Sequence, residues 1–462
     1  PVTVNNFGDF ERNFGGLHVD CPMSYAVKDF YLNGGSRAVI VRLFHDEDRE
    51  EARTAAHAVA DAVGEVATPD ADLDDLKDAA SEAASDYDGD PAKSAADKIV
   101  EAVNSAADTE GAEPGDVASA ATAAVESAVD EAAPQALAMQ TLKSTDEGTE
   151  LTIEAISPGK WGNRLSAKVD YDGIDNDVPE RYDLDLDAED FFNLTIVERP
   201  PDGPRERILN VSVHPDAGSR DVGRVLEQVS QLVRVQEIDR PAEPTNASRP
   251  AETPAEEDPT DLDNLEDPTD IKVKFLQGGG DGDDLVTSSY VGSYAGKTGM
   301  YALRDADLFN LLCIPADAFG ADVPENVYEE ALKFCVDERA MLIVDPPADW
   351  GTKKTELISQ AKQKLTQDVG LSGVEARNAA LYFPRVIQAD PLRENQLRTF
   401  VPCGIVAGVM ARTDVQRGVW KAPAGVDATL AGVQGLEVKL TDEENGALNP
   451  EGINCLRSFP VY

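Results

Sequence analysis

The side chains with chemical reach in this sequence are four histidines, five cysteines and a few acidic turns. His214 and Asp216 stand two residues apart, and a serine beside them would complete a Ser-His-Asp set for acyl transfer. Such a nucleophile needs a sharp Gly-x-Ser-x-Gly elbow to present its hydroxyl, and the sequence has none; a polar strand end explains His214 better. Asp345-Pro-Pro-Ala-Asp349 follows the apolar run Met341–Val344, where α/β enzymes place carboxylates. No His, Lys or metal pattern accompanies it, so strand-end capping is the favoured reading. Gly279-Gly-Asp-Gly-Asp-Asp-Leu-Val286 fits a single repeat of the Gly-Gly-x-Gly-x-Asp calcium pattern. Those turns hold Ca²⁺ by stacking on further copies. As a phosphate loop it lacks the following Lys and Ser/Thr. A flexible acidic turn is expected there.

Cys21, Cys313, Cys335, Cys403 and Cys455 show no CxxC or other metal spacing, and each sits in or beside an apolar run. They read as buried, reduced thiols of a reducing cytoplasm. Asn-x-Ser/Thr sequons occur at Asn193, Asn210 and Asn246; the first two fall in expected strands and only Asn246 reads as accessible. No catalytic residue, cofactor or metal site is expected, and hence no enzyme. A different signal stands near the end of the chain. Arg412, Arg417 and Lys421 are basic points flanking Trp420 in an intensely acidic sequence. Either Trp420 packs in its own core with the arginines in internal ion pairs, or these residues meet an acidic face of another protein, where Trp and Arg are favoured anchors. Arg457, in the closing Leu448–Pro460 stretch, is a further interface candidate.

The elements that must position these residues follow from periodicity. Residues 1–45 read as a helix followed by a strand: Phe7, Phe10 and Phe14 recur at helical spacing, Tyr25–Leu32 continues an amphipathic pattern, and Ala38–Val41 is a short apolar strand. Residues 46–140 change abruptly to Ala, Asp, Glu and Ser. Glu51–Val66, Leu73–Ser85, Pro91–Ala107 and Val117–Ala132 carry small apolar residues at helical spacing, and Ala has the highest helix propensity. Because Ala buries little area, a peripheral, mobile helical decoration is expected. Residues 141–240 read as β-rich, with Phe192–Val197 pairing with Glu206–Val213 across a Pro- and Gly-rich turn. Residues 241–270, rich in Pro, Glu, Thr and Asp, read as a disordered or extended linker. From 271 to 462 α/β texture returns, with a helix over Asn326–Val336, strands at Met341–Val344 and Ala379–Phe383, and small residues at Pro402–Met410 suited to close helix packing. The fold class is therefore α/β (α+β) and multidomain, as a chain of 462 residues leads one to expect.

The charge bounds the setting. Asp and Glu number 87 against 41 Lys and Arg, a net charge of −46. At low salt that repulsion works against compactness; at molar salt the Debye length is about 3 Å and the surface stays hydrated without it. A halophile's cytoplasm, with haloarchaea the favoured source, is the better reading than an ordinary acidic protein. Phosphate contacts need clustered Lys and Arg, so nucleic acid is disfavoured as a partner. No stretch has eighteen uninterrupted apolar residues, so no membrane span is expected. The chain opens on Pro1 rather than Met, so its natural start is expected to have been removed.

Ordered motifs along most of the chain resemble the contractile tail sheath proteins of tailed phages and related injection systems. They are Asn6-Phe-Gly-Asp-Phe-Glu-Arg-Asn-Phe-Gly-Gly16, Tyr25 to Leu43, Ser157-Pro-Gly-Lys-Trp-Gly-Asn-Arg164, Phe192-Asn-Leu-Thr195 and Ser230-Gln-Leu-Val233. Lys297–Leu303, Phe309–Pro315, Ala411–Ala424, Gly432–Val438, Leu440–Glu444 and Leu448–Pro460 follow in order. The resemblance is interrupted over 46–140, which marks that block as an insertion. It implies a discontinuous α/β sheath core in which 1–45 joins 271–462, an outward β-rich domain at 141–240, and a linker at 241–270. It implies a non-enzymatic subunit that polymerises as stacked hexameric rings around an inner tube, with baseplate and cap proteins as further partners. It also implies assembly in a host cytoplasm and then a place in a virion tail or extracellular injection particle. Family members carry an N-terminal arm and C-terminal elements absent from this sequence, and a truncated piece is the expectation. A binding module of a cell or particle surface, such as an adhesin, is the competing reading.

Overall fold

The computed structural model describes residues 1–109, 111–133, 136–144, 149–198, 205–240, 249–260, 272–324 and 326–459. Helices and several separate sheets are mixed in it, a multidomain α/β arrangement. The chain divides into two compact units, Pro1–Leu43 with Leu285–Tyr462, and Phe44–Asp284.

The first unit is built on a parallel sheet. Leu311–Cys313, Met341–Val344, Ala379–Phe383 and Ile453–Cys455 lie side by side in chain order. Adjacent parallel strands need a crossover, and the helices Val327–Asp337 and Lys354–Gln367 supply the first two. Side chains alternate across a strand, so each strand feeds both faces. Leu312, Leu342, Val344, Leu381, Phe383 and Ile453 pack with those two helices and with Asp442–Leu448. Leu311, Cys313, Ile343 and Tyr382 face the opposite way, toward Ala26, Phe30, Cys403, Val406 and Ala407. The sheet is thus covered on both faces, which explains its nearly continuous apolar strands.

That second face depends on two helices far apart in sequence, Pro22–Leu32 and Cys403–Arg417. Gly404 and Gly408 lie one turn apart on the latter. A Cβ on Gly404 would stand 2.1 Å from the Ala26 carbonyl oxygen, and one on Gly408 2.5 Å from that of Phe30. The helix axes approach as closely as they do because these positions have no side chain. Buried polar contacts fix the same junction. Tyr25 donates to Asp390 Oδ1 at 2.8 Å, and Gln388 Nε2 donates to Asp29 Oδ2 at 2.9 Å. Gln388 and Asp390 belong to the strand Val386–Asp390 of a hairpin with Gln396–Phe400. Ala38–Ile40 is a strand as expected, but it pairs antiparallel with Val2–Val4 rather than joining the parallel sheet.

The second unit holds two cores. Glu47–Val66, Leu73–Ala84, Ala92–Ala107 and Pro114–Ala132 close into a four-helix bundle around Leu76, Ile99, Val103, Val125 and many alanines. Stripes that look too thin in sequence suffice because small side chains let the helices close up. Asp46 caps the first helix by accepting the Arg49 N–H. The buried Arg49 side chain donates to the Ala133 carbonyl at 2.8 Å and pairs with Asp130. The other core joins two three-stranded antiparallel sheets. One is Met139–Lys143, Glu150–Ala155 and Val233–Asp239; the other is Leu165–Asp170, Phe191–Glu198 and Arg205–Ser212. The last two strands form the hairpin read from the sequence. The turn expected between them falls at 199–204, outside the described residues.

The expected linker is described only in part, since 241–248 and 261–271 lie outside the described residues, Asn246 among them. Residues 249–260 are not free. Ala251 N–H donates to the Lys143 carbonyl and Thr253 N–H to that of Val169. Lys168 pairs with Asp258 at 2.6 Å, and the Arg249 guanidinium lies 3.6 Å from the centre of the Tyr171 ring. Few apolar residues are needed where backbone groups of a sheet edge are available as partners.

Candidate functional site

The candidate surface begins where the helix Cys403–Arg417 leaves the core. Its first half, Cys403–Val409, is buried, and Asp414–Arg417 is exposed. The start is held by Asp345, whose Oδ1 accepts the Cys403 N–H at 2.9 Å. Asp345 therefore caps a helix that begins 58 residues away, a role more distant than the strand-end cap read from its neighbours. The helix stops at Gly418, with φ +86°. A Cβ there would stand 2.4 Å from the Trp420 indole, so the ring rests on the glycine itself.

The loop that follows is pinned at its far side. Asn33 is buried, accepts the Ala431 N–H at 2.8 Å and donates to the Ala431 carbonyl at 3.2 Å. Arg412 Nη2 donates to the Thr429 carbonyl at 2.7 Å, and its stem lies against Gly34. Gly435–Leu436 then pairs with Val386–Ile387. Between these fixed points the chain presents Trp420, 85% exposed, with Val415 at 81%, Val419 at 80% and Val426 also exposed. Arg417 is exposed and has no ion-pair partner among the described residues. Among the described residues Lys421 reaches only the carbonyl of Ala422, at 3.2 Å.

The five interface candidates therefore separate. Arg417, Trp420 and Lys421 share one exposed turn. Arg412 is committed to bracing that turn. Arg457 pairs with Asp442 at 2.8 Å and lies over the Phe459 ring. Trp420 packs in no core among the described residues. Val415, Val419 and Val426 escaped the sequence reading, although a signal existed for Val415. At ~100° per residue it stands roughly 130° from the mean direction of the buried Ile405, Val406 and Val409.

The other candidates serve as structural ties. His214 Nδ1 accepts the Asp216 N–H at 3.1 Å, which braces a turn and engages the nitrogen that would have to donate to an aspartate in a triad. Asp281 Oδ1 accepts the Lys160 N–H and Asp283 Oδ2 that of Glu47. The acidic Gly-rich turn, expected to be flexible, is thus tied to the backbone at two points. Among the described residues no group of three or more His, Cys, Asp or Glu is placed to hold a metal ion. Nor is any helix among them long and apolar enough to cross a membrane. Burial pushes the Cys335 thiol up to about 12 and that of Cys455 up to about 11, which suppresses their nucleophilicity. Asn193 is buried and donates to Asp170 and to the Asp172 carbonyl, so the folded chain offers no access to that sequon.

Comparison with known proteins adds what the surface alone does not specify. Residues 297–461 match the family model of the phage tail sheath protein central domain. No curated protein sequence matches the chain. Among solved structures, a sheath tail protein from Listeria innocua is similar over 71% of this chain and 52% of its own, at 13% identity and a TM-score of 0.38. The contracted sheath of an extracellular contractile injection system is similar over 36% of this chain and 41% of its own, at 24% identity and a TM-score of 0.26. The chain thus spans about half the length of the first. The family model covers the parallel sheet from Leu311 onward and the whole turn around Trp420, and it supports a sheath family for this chain.

Proposed function

We propose that this chain is a structural, non-enzymatic subunit of a contractile sheath. Copies polymerise as stacked hexameric rings around an inner tube, with baseplate and cap proteins at the ends, and contraction drives the tube through a target envelope. The observation that carries this reading is the match of residues 297–461 to the sheath central domain. The exposed turn supports it: Arg417, Trp420 and Lys421 are aromatic and basic anchors on a chain of net charge −46, suited to an acidic face of another subunit or of the tube. In this reading 1–45 and 271–462 make the sheath core, 46–140 is a helical insertion, 141–240 projects outward and 241–270 links them. Assembly takes place in a host cytoplasm, in a halophile by the charge, and the product is a virion tail or an extracellular injection particle.

Energy for the stroke resides in the assembled lattice, kinetically trapped when extended. Subunits then move largely as rigid bodies to a shorter, wider array. The test is electron microscopy of the complete protein in about 2–3 M salt, where screening is nearly complete, with and without the tube protein. Helical tubes with six-fold rings are expected. Particles that never assemble even with the tube present would overturn the contractile reading in favour of a surface-binding module.

A further inference from the structure

The five cysteines are not equivalent, and two of them meet. Cys313 ends the edge strand Leu311–Cys313 of the parallel sheet, and Cys403 opens the helix Cys403–Arg417. Both lie in one apolar cluster with Ala26, Ile343 and Val406. The Cys313 thiol donates to the Cys403 carbonyl at 3.6 Å, and the two thiols hydrogen-bond each other. They are 90 residues apart in the chain, so the fold and not local spacing makes this pair.

Each thiol stands on fixed backbone. Cys313 is in register with Ile343 on the neighbouring strand Met341–Val344. Asp345, the residue that follows that strand, accepts the Cys403 N–H at 2.9 Å. Strand and helix start are therefore held to the same support.

The pair is also asymmetric. Cys403 is fully buried, whereas Cys313 is half-buried, so a polar oxidant from solvent meets Cys313 first. The Cys403 thiol is held well above the ordinary range by its hydrogen bond with Cys313, by burial and by Asp345. It therefore reacts only with what is brought into contact with it. A reachable thiol beside a covered partner is the arrangement in which a first oxidation is resolved as a disulfide rather than carried further.

We propose that Cys313 and Cys403 form a reversible disulfide, Cys313 being oxidised first and Cys403 resolving it. With hydrogen peroxide as oxidant, the Cys313 sulfur takes one peroxide oxygen, the O–O bond breaks, and the other oxygen leaves as water. The Cys403 sulfur then displaces the sulfenic hydroxyl, which departs as a second water with the Cys403 proton. Two thiols and one peroxide give one disulfide and two waters. The sulfurs lose two electrons and the peroxide oxygens gain them. A dithiol reductant reverses the bond by exchange. In a reducing compartment the pair stays open, and in an oxidising one it closes. Closure bolts the start of the helix that leads to Trp420 onto the edge of the sheet, in the isolated chain as in any assembly.

The test treats the folded full chain with hydrogen peroxide, alkylates the remaining thiols and maps linkages by mass spectrometry of an unreduced digest. A peptide pair joined through Cys313 and Cys403 is expected, with Cys335 and Cys455 alkylated. Closing so long a loop should raise Tm by roughly 5–10 °C, and dithiothreitol should return it. Cys313→Ser should abolish both the linkage and the rise. Cys403→Ser, where it folds, should leave a sulfenic acid on Cys313 that dimedone labels. The mapping on the parent chain needs neither variant. Thiols that both stay free, Cys313 carried to sulfinic acid without a linkage, Cys313 joined to another cysteine, or a Tm rise that survives Cys313→Ser would each overturn the proposal.

Discussion

Gly404 bears more of the fold than its size suggests, since any Cβ there would meet the Ala26 carbonyl oxygen at 2.1 Å. The neighbour is helix backbone and cannot turn aside as a side chain would. Gly404→Ala should therefore destabilise the first unit by about 2–3 kcal/mol, the usual cost of forced backbone shifts in a packed core, read as a lower denaturation midpoint at unchanged slope. Gly64, with nothing within 4 Å of its Cβ position, is the matching control. Gly64→Ala, in the last turn of the helix Glu47–Val66, should stabilise by up to about 1 kcal/mol. Asp29 gives a pH signature of its own. Burial pushes its carboxyl up to about 6, against about 3.9 in an unfolded chain. The folded state then binds the proton more tightly, so this group's contribution is full below pH ~4 and is lost as pH rises to ~6. Asp29→Asn should flatten that slope, and its stability relative to the parent should grow between those pH values by up to about 3 kcal/mol. The titration belongs in molar salt, where long-range charge terms are screened.

At the scale of elements, the four-helix bundle is the place where packing and composition disagree most. Its core is largely alanine, with Leu76 and Ile99 the largest fully buried side chains. Ile99→Ala should cost about 2–4 kcal/mol, and hydrogen exchange should show the loss over 47–132 while the parallel sheet keeps its protection. Helices, the hairpin of Phe191–Glu198 with Arg205–Ser212, and the buried strand Met341–Val344 were legible from periodicity. Period and composition report what a segment does with its own neighbours. They are silent on partners hundreds of residues away, which is why small residues at Pro402–Met410 announced close packing but not that Pro22–Leu32 would receive it. Asp345 was legible as a cap and illegible in what it caps, for the same reason. Around Trp420 the residue types pointed to a surface, whereas the exposed valines beside it emerged only with the fold. The ties that hold 249–260 were not legible, because hydrogen bonding to a sheet edge leaves no hydrophobic signature.

For the whole molecule, the exposed turn and the charge lead to one expectation about assembly. Replacing Trp420 by Ala together with Arg417 by Glu removes an exposed ring and a cation without an ion pair among the described residues. The stability of the folded chain should change by no more than about 0.5 kcal/mol. If the turn is an anchor of the sheath lattice, its loss should weaken association by more than 2 kcal/mol, roughly 30-fold, seen as a higher critical concentration for tube formation at the same Tm. The division into Pro1–Leu43 with Leu285–Tyr462 on one side and Phe44–Asp284 on the other also sets a timetable for synthesis. Tyr25 and its partner Asp390 are 365 residues apart. At ~5–20 residues per second the ribosome needs roughly 20–70 s to bridge that gap. Throughout that interval the helix Pro22–Leu32 has emerged without the surface that will cover it, while all of Phe44–Asp284 can complete its folding. A segment made 365 residues before its partner is among the last to find its place, and until then it is a natural client for a chaperone.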